Sequence, residues 1–465
     1  MRAELAPTTL DRSAPSASAP SATVAAQVGA TLFAKGALTV VAEPTQGAMQ
    51  IGLLELGDEA ALDGEPAAGS GCPAGWAKLA AGGFVCTAKD TTRDASDPLI
   101  ALVRAEGRAA PGSPYPYSYG ESRGAPTYVR APTADEQARS EPSLDAERAV
   151  LATARRAAML GKDDEIPPHL RGVELTAPAD PCPPALLAKR DGEPPLARAS
   201  TVPARAGVAW IAECEAEGRT WLVTPERTVL PRERVARSFA SAVHGVARPG
   251  SDKIAFVTGK ARPRYRMVRY GFFEVMEPAL PVFSIVRLTG QTHAVGPATY
   301  LETADGGAYV LADHVAIVEP LARPSGVGAA EKWVDLDARR GLLVAYEGDA
   351  IAYAALVAAP AVSTDEAPGR VRRGRYRVEW KHRSRTFGEG AGLRAHLPHV
   401  LVLSGGSAIV GDPWQPLLGT SSGQSARLAP ADAAWLFAWA TPAVPDGWSS
   451  RRGTEAAPGT WVFVR

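Results

Sequence analysis

The sequence predicts a mainly β protein of several small units, with a few short helices. Glycine and proline supply 45 and 40 of the 465 residues, and both residues mark turns. Apolar, β-branched runs recur roughly every ten residues near the amino terminus, as in Leu38–Val41 and Ile51–Leu54. The length is two to four times that of a typical domain, so we expect more than one hydrophobic core.

Charge and hydropathy exclude two classes of protein. Fifty Lys and Arg residues balance fifty Asp and Glu residues, whereas a protein that binds nucleic acid through counterion release normally carries a basic surplus. No run of about 18 apolar residues is present, the length that a membrane-spanning helix requires. We therefore expect no nucleic-acid partner and no transmembrane segment.

Four cysteines are the main chemical signal of the first half of the chain: Cys72, Cys86, Cys182 and Cys214. An even number at separated positions is typical of an exported protein with two disulfides. The competing interpretation is a metal site, but no two cysteines have the close spacing of metal ligands. We predict no metal, no cofactor and a location in the periplasm or cell envelope, although no signal peptide is visible in the sequence.

Composition divides the chain into five segments. Residues 1–27 are low-complexity Ser, Ala, Pro and Thr, which is typical of a disordered tether. Residues 28–92 carry the short strands of a small barrel, whose last hairpin Cys72 and Cys86 would join. Whether Cys182 bonds Cys214 stays open. The remaining segments are a linker and helix region at 93–200, a strand-rich middle region at 201–325 and a further domain at 330–465.

Helix signals occur in two places. Thr133 and Glu136 have the spacing of a capping box, and Pro142 stands where it would split the helix in two. A second helix is expected to begin at Pro430. Trp435 and Trp439 are one turn apart on that helix, so we expect both to pack in the core.

Three segments near the carboxy terminus carry a family resemblance. Residues 331–357 read EKWVDLDARRGLLVAYEGDAIAYAALV, residues 405–414 read GGSAIVGDPW, and residues 420–439 read TSSGQSARLAPADAAWLFAW. Together with Gly374–Val378, they resemble the L,D-transpeptidase family with its YkuD-type catalytic domain. That family places its nucleophile in a Ser-His-Gly-Cys-Val-Arg/Asn-Leu motif. The resemblance implies a YkuD-like β-sandwich or barrel domain.

The resemblance also implies positions for a binding site. Laid on the family motif without gaps, Ser422 stands at its serine and Arg427 at its Arg/Asn position. Ser422, Trp414 and Gly411 are therefore candidate binding residues. Residues 71–86, GCPAGWAKLAAGGFVC, are similar to the amino-terminal SH3-like barrel that some family members carry.

Departures from the motif bear on activity. The family uses a cysteine thiolate to attack a peptide carbonyl and a histidine to take the thiol proton. In this chain Ser425 stands at the nucleophile position, while Gly423 and Val410 replace the two histidines. A serine hydroxyl is far less acidic than a thiol and depends more heavily on a base. The resemblance therefore predicts a pseudoenzyme of the cell envelope that binds peptidoglycan stem peptides or another envelope protein.

Two alternatives stay open. One is an active acyltransferase or hydrolase that uses Ser425 with a base from elsewhere in the fold, for which His382, His396 and His399 are nearby in sequence. The other is a structural adaptor in which the barrels bind and the carboxy-terminal domain is only a scaffold.

Overall fold

The chain is mainly β, as predicted, and its helices are few and short. The computed structural model describes residues 30–87, 90–105, 113–175, 179–189, 192, 197–238, 241–250, 253–359, 371–414 and 425–465. The predicted tether at residues 1–27 lies outside them. Within the described residues, no helix is long and apolar enough to cross a membrane.

Short strands around a small core form the first unit. These strands are β1 (Thr31–Ala34), β2 (Leu38–Val41), β3 (Gln50–Leu54), β4 (Glu59–Ala61), β5 (Trp76–Lys78), β6 (Phe84–Cys86) and β7 (Thr91–Thr92). β1 pairs with β4 and β7, while β2 pairs with β3 and β6. Cys72 and Cys86 form a disulfide beside this core. The SH3-like assignment of this unit stays a prediction.

The core of the first unit is completed from the other end of the chain. Trp448 packs among Val40, Leu54 and Leu79, and β3 pairs with a strand that contains Arg451. A Cβ atom added to Gly52 would lie 2.4 Å from the Trp448 ring. Glycine is therefore required at position 52 for the ring to approach the strand.

The next region contains helices and two strands: α1 (Pro98–Ala105), β8 (Ser118–Ser122), β9 (Ala125–Tyr128), α2 (Ala134–Ser140), α3 (Leu144–Met159) and α4 (Pro184–Leu187), with 3-10 turns at Asp163–Glu165 and Pro168–Leu170. The capping box forms as predicted, because the Thr133 hydroxyl accepts a hydrogen bond from the Glu136 backbone and the Glu136 carboxylate accepts one from the Thr133 backbone. α2 ends at Ser140 and α3 begins at Leu144, so the helix is divided around Pro142. The sequence did not predict α1, β8 or β9; Tyr119 on β8 and Tyr128 on β9 are buried.

The strands of the middle region belong to two sheets, a five-stranded one that includes β9 and a larger one that includes β8. They are β10 (Arg198–Val202), β11 (Gly207–Trp210), β12 (Ala212–Ala216), β13 (Arg219–Val223), β14 (Val229–Pro231), β15 (Val235–Arg237) and β16 (Val246–Ala247), with a 3-10 turn at Arg232–Arg234. A five-stranded sheet has the order β10-β9-β14-β13-β12. The Cys182–Cys214 disulfide lies in its core beside Tyr128 and Trp221.

A seven-stranded antiparallel sheet follows, in the order β19-β18-β22-β21-β20-β17-β23. Its strands are β17 (Lys253–Val257), β18 (Arg262–Arg269), β19 (Phe272–Leu280), β20 (Ile285–Val295), β21 (Ala298–Thr303), β22 (Tyr309–Leu311) and β23 (Val315–Ile317), with a 3-10 turn at Ala312–His314. Ala255, Val257, Val286, Leu301 and Val310 form the core of this sheet.

The carboxy-terminal region contains the largest core. It is built from β24 (Lys332–Asp337), β25 (Leu342–Glu347), β26 (Ala350–Leu356), β27 (Gly374–Phe387), β28 (Arg394–Leu403), β29 (Ala408–Gly411), β30 (Ser425–Leu428), α5 (Pro430–Trp439), β31 (Ser450–Arg452) and β32 (Trp461–Val464), with a 3-10 turn at Gly390–Gly392. The predicted hairpin forms as β24 and β25. β27 pairs with β28, β31 and β32, so it joins the two halves of this region.

Candidate functional site

Two short parallel strands hold the positions that the family resemblance singles out. β29 and β30 pair so that Ala408 lies opposite Ser425 and Val410 lies opposite Arg427. Helix α5 follows β30 immediately and packs on β29. A Cβ atom on Gly411 would lie 3.0 Å from Cβ of Ala433, so the small residue lets the helix approach the strand. Ser422 and Gly423 lie outside the described residues.

Val410, at the position of the upstream histidine, is a core residue. Its side chain is completely buried and packs among Leu397, Val400, Val402 and Ala408. An apolar side chain stabilises this cluster through burial, whereas an imidazole there would need a hydrogen-bond partner. The position therefore serves packing in this chain and offers no acid or base.

Ser425 begins β30 and is only 7% exposed. In the described part of the chain, no histidine is hydrogen-bonded to its hydroxyl. Ser425 lies beside Ala408, and Ala408 pairs with Val402 of β28. His399 is three residues further along β28, a separation of about 10 Å along the strand direction. The structure therefore does not bring Ser425 and His399 together as a nucleophile and base.

His399 has a different partner. Its Nε2 atom lies 2.8 Å from the carbonyl oxygen of Ser113, so the ring donates its proton to that carbonyl. Burial lowers the pKa of His399 to about 4, although the bond to Ser113 opposes the shift. Burial likewise lowers the pKa of His382 to about 4. Both rings are therefore neutral at physiological pH; His399 is buried and His382 is half-buried.

Arg427 is bound to a buried carboxylate. Its Nη1 atom lies 3.3 Å from Oδ2 of Asp412, and Oδ1 of Asp412 accepts a hydrogen bond of 2.8 Å from the Trp414 backbone. The Arg427 backbone also exchanges two hydrogen bonds of 2.9 Å with Ala358. A buried carboxylate requires such partners, so Arg427 stabilises the strand and the turn after β29.

Trp414 is used in packing between regions. Its indole Nε1 donates a 2.9 Å hydrogen bond to the carbonyl of Gly120, and its ring meets the edge of Tyr119 at 5.4 Å. A Cβ atom on Gly207 would lie 2.8 Å from the Trp414 ring. The roles of Trp414, Gly411 and Ser422 in ligand binding stay predictions.

Helix α5 is anchored by a buried carboxylate. Oδ1 of Asp432 accepts hydrogen bonds of 2.7 Å from the Tyr353 hydroxyl and 2.6 Å from the Gly245 backbone. Burial raises the pKa of Asp432 to about 6, against the effect of these bonds. Trp435 stacks on Tyr353 and packs against the core with Trp439, as expected from their helical spacing.

A network of hydrogen-bonded side chains, which the sequence did not indicate, connects the first unit, the middle region and the carboxy-terminal region. The Ser384 hydroxyl lies 2.8 Å from Nδ1 of His396, and Nε2 of His396 lies 2.5 Å from Oε1 of Glu226. Ser384 also donates to the Tyr117 hydroxyl at 3.5 Å, and Tyr117 donates to Glu55 at 2.9 Å. No local spacing in the sequence could reveal this network, because its members come from distant segments.

Serine, histidine and glutamate are the side chains of a hydrolase triad, but their exposure argues against catalysis. Ser384 is buried, while Glu226 at the other end is exposed. A nucleophile must meet its substrate, and here the acid faces solvent instead. Beside this network of hydrogen bonds, Arg383 pairs with Asp58. We assign the whole network to holding the first unit and the five-stranded sheet against β27 and β28.

No group of three or more His, Cys, Asp or Glu residues in the described ranges is arranged to hold a metal ion. No protein-family model matches the sequence, and a search of curated proteins finds no match either.

Several solved structures align with part of the chain. The L,D-transpeptidase from Xylanimonas cellulosilytica DSM 15894 is 21% identical, with 31% of this chain and 64% of that chain covered and a TM-score of 0.22. A mutant of the Enterococcus faecium L,D-transpeptidase is 19% identical, with coverages of 29% and 50% and a TM-score of 0.21.

The L,D-transpeptidase from Mycobacterium smegmatis is 16% identical, with coverages of 49% and 89% and a TM-score of 0.22. The chain spans 64% and 50% of the first two of these structures, and function resides in sites rather than in folds.

Proposed function

We propose that the protein is a non-catalytic relative of L,D-transpeptidases in the cell envelope, and that it binds the stem peptides of peptidoglycan. The resemblance to the L,D-transpeptidase motif supports peptidoglycan stem peptides as the class of ligand. The environment of Val410 supports the loss of catalysis, because a fully buried valine occupies the place of the upstream histidine.

The chemistry around Ser425 supports the same proposal. Attack by a serine hydroxyl requires a base within hydrogen-bond reach. The imidazole of His399 is engaged with Ser113, and that of His396 with Ser384 and Glu226. His382 is half-buried, with its ring stacked on Trp380. These three rings therefore have structural partners, and none is positioned to activate Ser425.

A reaction with a carbapenem tests the loss of catalysis. We expect intact-mass spectrometry of the purified wild-type protein to show no acyl adduct, and the Ser425→Ala variant to give the same spectrum. A stable adduct on the wild type that disappears in Ser425→Ala would establish the alternative, a serine acyltransferase or hydrolase.

Binding is tested separately with purified peptidoglycan sacculi. We expect the wild-type protein to sediment with sacculi, and a soluble tetrapeptide stem to compete. Sedimentation that the peptide does not affect would contradict stem-peptide recognition, even if the protein proves to be inactive. A protein that stays in the supernatant would contradict peptidoglycan binding altogether.

A further inference from the structure

The hairpin of β18 and β19 extends beyond the body of the seven-stranded sheet. β18 pairs with β22 at Tyr265, opposite Tyr309. From Arg266 to Phe272, the hydrogen-bonded partners in the described sheet lie within the hairpin itself. The far end of the hairpin is therefore a two-stranded arm that projects from the sheet.

One side of this arm is supported. The Phe273 ring stacks on Tyr300 with 3.8 Å between the ring centroids, and it meets the edge of Tyr309 at 5.1 Å. Tyr265 also contacts Tyr300, at 5.2 Å. Tyr265 and Phe273 border the projecting part of the hairpin, so these contacts fix the base of the arm on β21 and β22.

The tip exposes large apolar side chains to solvent. Tyr270 is 90% exposed, Phe272 56% and Val268 54%. Single exposed apolar residues are ordinary, but a concentration within five residues on a projecting arm indicates a contact surface. We call Val268, Arg269, Tyr270 and Phe272 the hairpin tip.

The hairpin tip and its flank are basic. The guanidinium of Arg269 lies 3.9 Å from the centre of the Phe272 ring, and no carboxylate pairs with it among the described residues. Arg266 pairs with the exposed Glu274. β18 and β19 together contain four arginines (262, 264, 266 and 269) and two glutamates (274 and 277). Arg264 also lies 3.7 Å from Asp305, so Arg269 supplies the positive charge of the tip itself.

We propose that the hairpin tip docks on the surface of an anionic phospholipid membrane. Tyrosine and arginine combine an apolar body with a polar end, which suits the headgroup region of a bilayer. Anionic lipids attract basic side chains near the surface, and apolar side chains beside them add burial.

The size of the tip favours a membrane over a protein partner. Two aromatic side chains offer about 150–250 Å² each, whereas a stable protein interface buries about 800 Å² on each partner. A narrow projecting tip cannot supply that area alone. It can enter the headgroup layer without a complementary surface on the other side.

Vesicle sedimentation of the full chain tests the proposal. We expect the wild-type protein to bind vesicles of phosphatidylglycerol and phosphatidylcholine, and to bind more weakly in high salt or to phosphatidylcholine alone. The double variant Tyr270→Ser/Phe272→Ser should weaken binding roughly tenfold or more, and Arg269→Gln should weaken it several-fold. These side chains are exposed, so the variants should keep the circular dichroism spectrum of the wild type.

A matched control is the double variant Met159→Ser/Leu160→Ser, which removes two exposed apolar side chains (78% and 64%) at the end of α3. It should bind vesicles like the wild type. Equal binding by the Tyr270/Phe272 variant, or no binding by the wild type, would overturn the proposal. So would a lipid-free dimer that becomes monomeric in that variant without lipid binding, since the hairpin tip would then be a contact between copies of the chain.

Discussion

His396 on β28 is bonded directly to Glu226 on the turn between β13 and β14, with 2.5 Å between Nε2 and Oε1. Burial opposes a charge on the imidazole, but the bond to Glu226 and its negative charge outweigh that effect and raise the pKa of His396. Neighbouring groups partly desolvate the Glu226 carboxyl, although its side chain is 57% exposed, and the bond to His396 still lowers the pKa of that carboxyl. Both shifts favour the ionic form, so the pair is charged between the ordinary pKa values of 4.5 and 6.5.

The His396–Glu226 pair should make stability depend on pH. The histidine contribution to the free energy of unfolding is complete below its ordinary pKa of 6.5 and disappears as the pH rises through the raised value. The glutamate contribution is complete above 4.5 and disappears as the pH falls through the lowered value.

Replacing His396 by Gln should therefore lower the free energy of unfolding most between pH 4.5 and 6.5. We expect a loss of about 1 kcal/mol, since solvent at the exposed Glu226 screens the pair. Urea unfolding at a series of pH values measures this loss. Glu226→Gln is the matched variant and should lose the same pH dependence; a cost that stays constant from pH 5 to pH 9 would contradict the ionic assignment.

Lys381 should make the free energy of unfolding rise with pH at alkaline pH, whereas the contribution of His396 falls as the pH rises. Burial, with a smaller effect from Lys332, lowers the pKa of Lys381 to about 7 from 10.5, and its Nζ donates to the carbonyl of Ala440 at 2.6 Å. Between these values the unfolded chain holds the extra proton, so stability rises with pH by at most about 1.4 kcal/mol per unit.

The Lys381→Met variant should flatten this slope, which denaturant unfolding between pH 7 and 10 would measure. Lys162→Met is the control, because Lys162 is exposed and pairs only with Glu165 among its described neighbours. An unchanged slope in Lys381→Met would show that another group is responsible.

Gly52→Ala should destabilise the junction of the two chain ends. The new Cβ atom would lie 2.4 Å from the Trp448 ring and 2.9 Å from the carbonyl of Ser450. We expect a loss of about 1–3 kcal/mol, as for other overpacked cores, measured by thermal or urea unfolding. Gly392→Ala is the control, because a Cβ atom added there would have no described neighbour within 4 Å; equal stability of both variants would contradict the packing explanation.

Both disulfides should be detectable and stabilising. Alkylation under denaturing, non-reducing conditions should find no free thiol, since the structure pairs all four cysteines. Loop-closure entropy for separations of 14 and 32 residues predicts losses of about 3 and about 3.7 kcal/mol for the Cys72→Ala/Cys86→Ala and Cys182→Ala/Cys214→Ala variants. Four alkylated thiols would contradict both pairings.

Local signals in the sequence predicted local structure well. Apolar β-branched runs indicated β2 and β3, and the Thr133–Glu136 spacing indicated the capping box. By contrast, β8 and β9 lie in a Pro-, Gly- and Tyr-rich segment that lacks a regular alternation of apolar and polar residues. Their burial depends on partners such as β11 and β10, which the sequence does not place.

The candidate site was predictable only in part. Motif alignment singled out Ser425, Val410 and Arg427 by their order in the chain, but it did not indicate that they lie on the paired strands β29 and β30, which the structure shows. The partners of His396 were not predictable: Ser384 is 12 residues away and Glu226 is 170 residues away. Such contacts depend on how separate sheets pack, which periodicity does not encode.

The pairing of β3 with β31 has a consequence for the order of folding. Ser449 donates a hydrogen bond to Asp58, 391 residues earlier in the chain, and Trp448 fills the core of the first unit. Contacts this distant in sequence slow folding, because a long loop must close before they form. The strands beside Asp58 cannot complete their core until the 391 residues up to Ser449 have been synthesised, so this part of the nascent chain stays incompletely packed and open to proteases during that time.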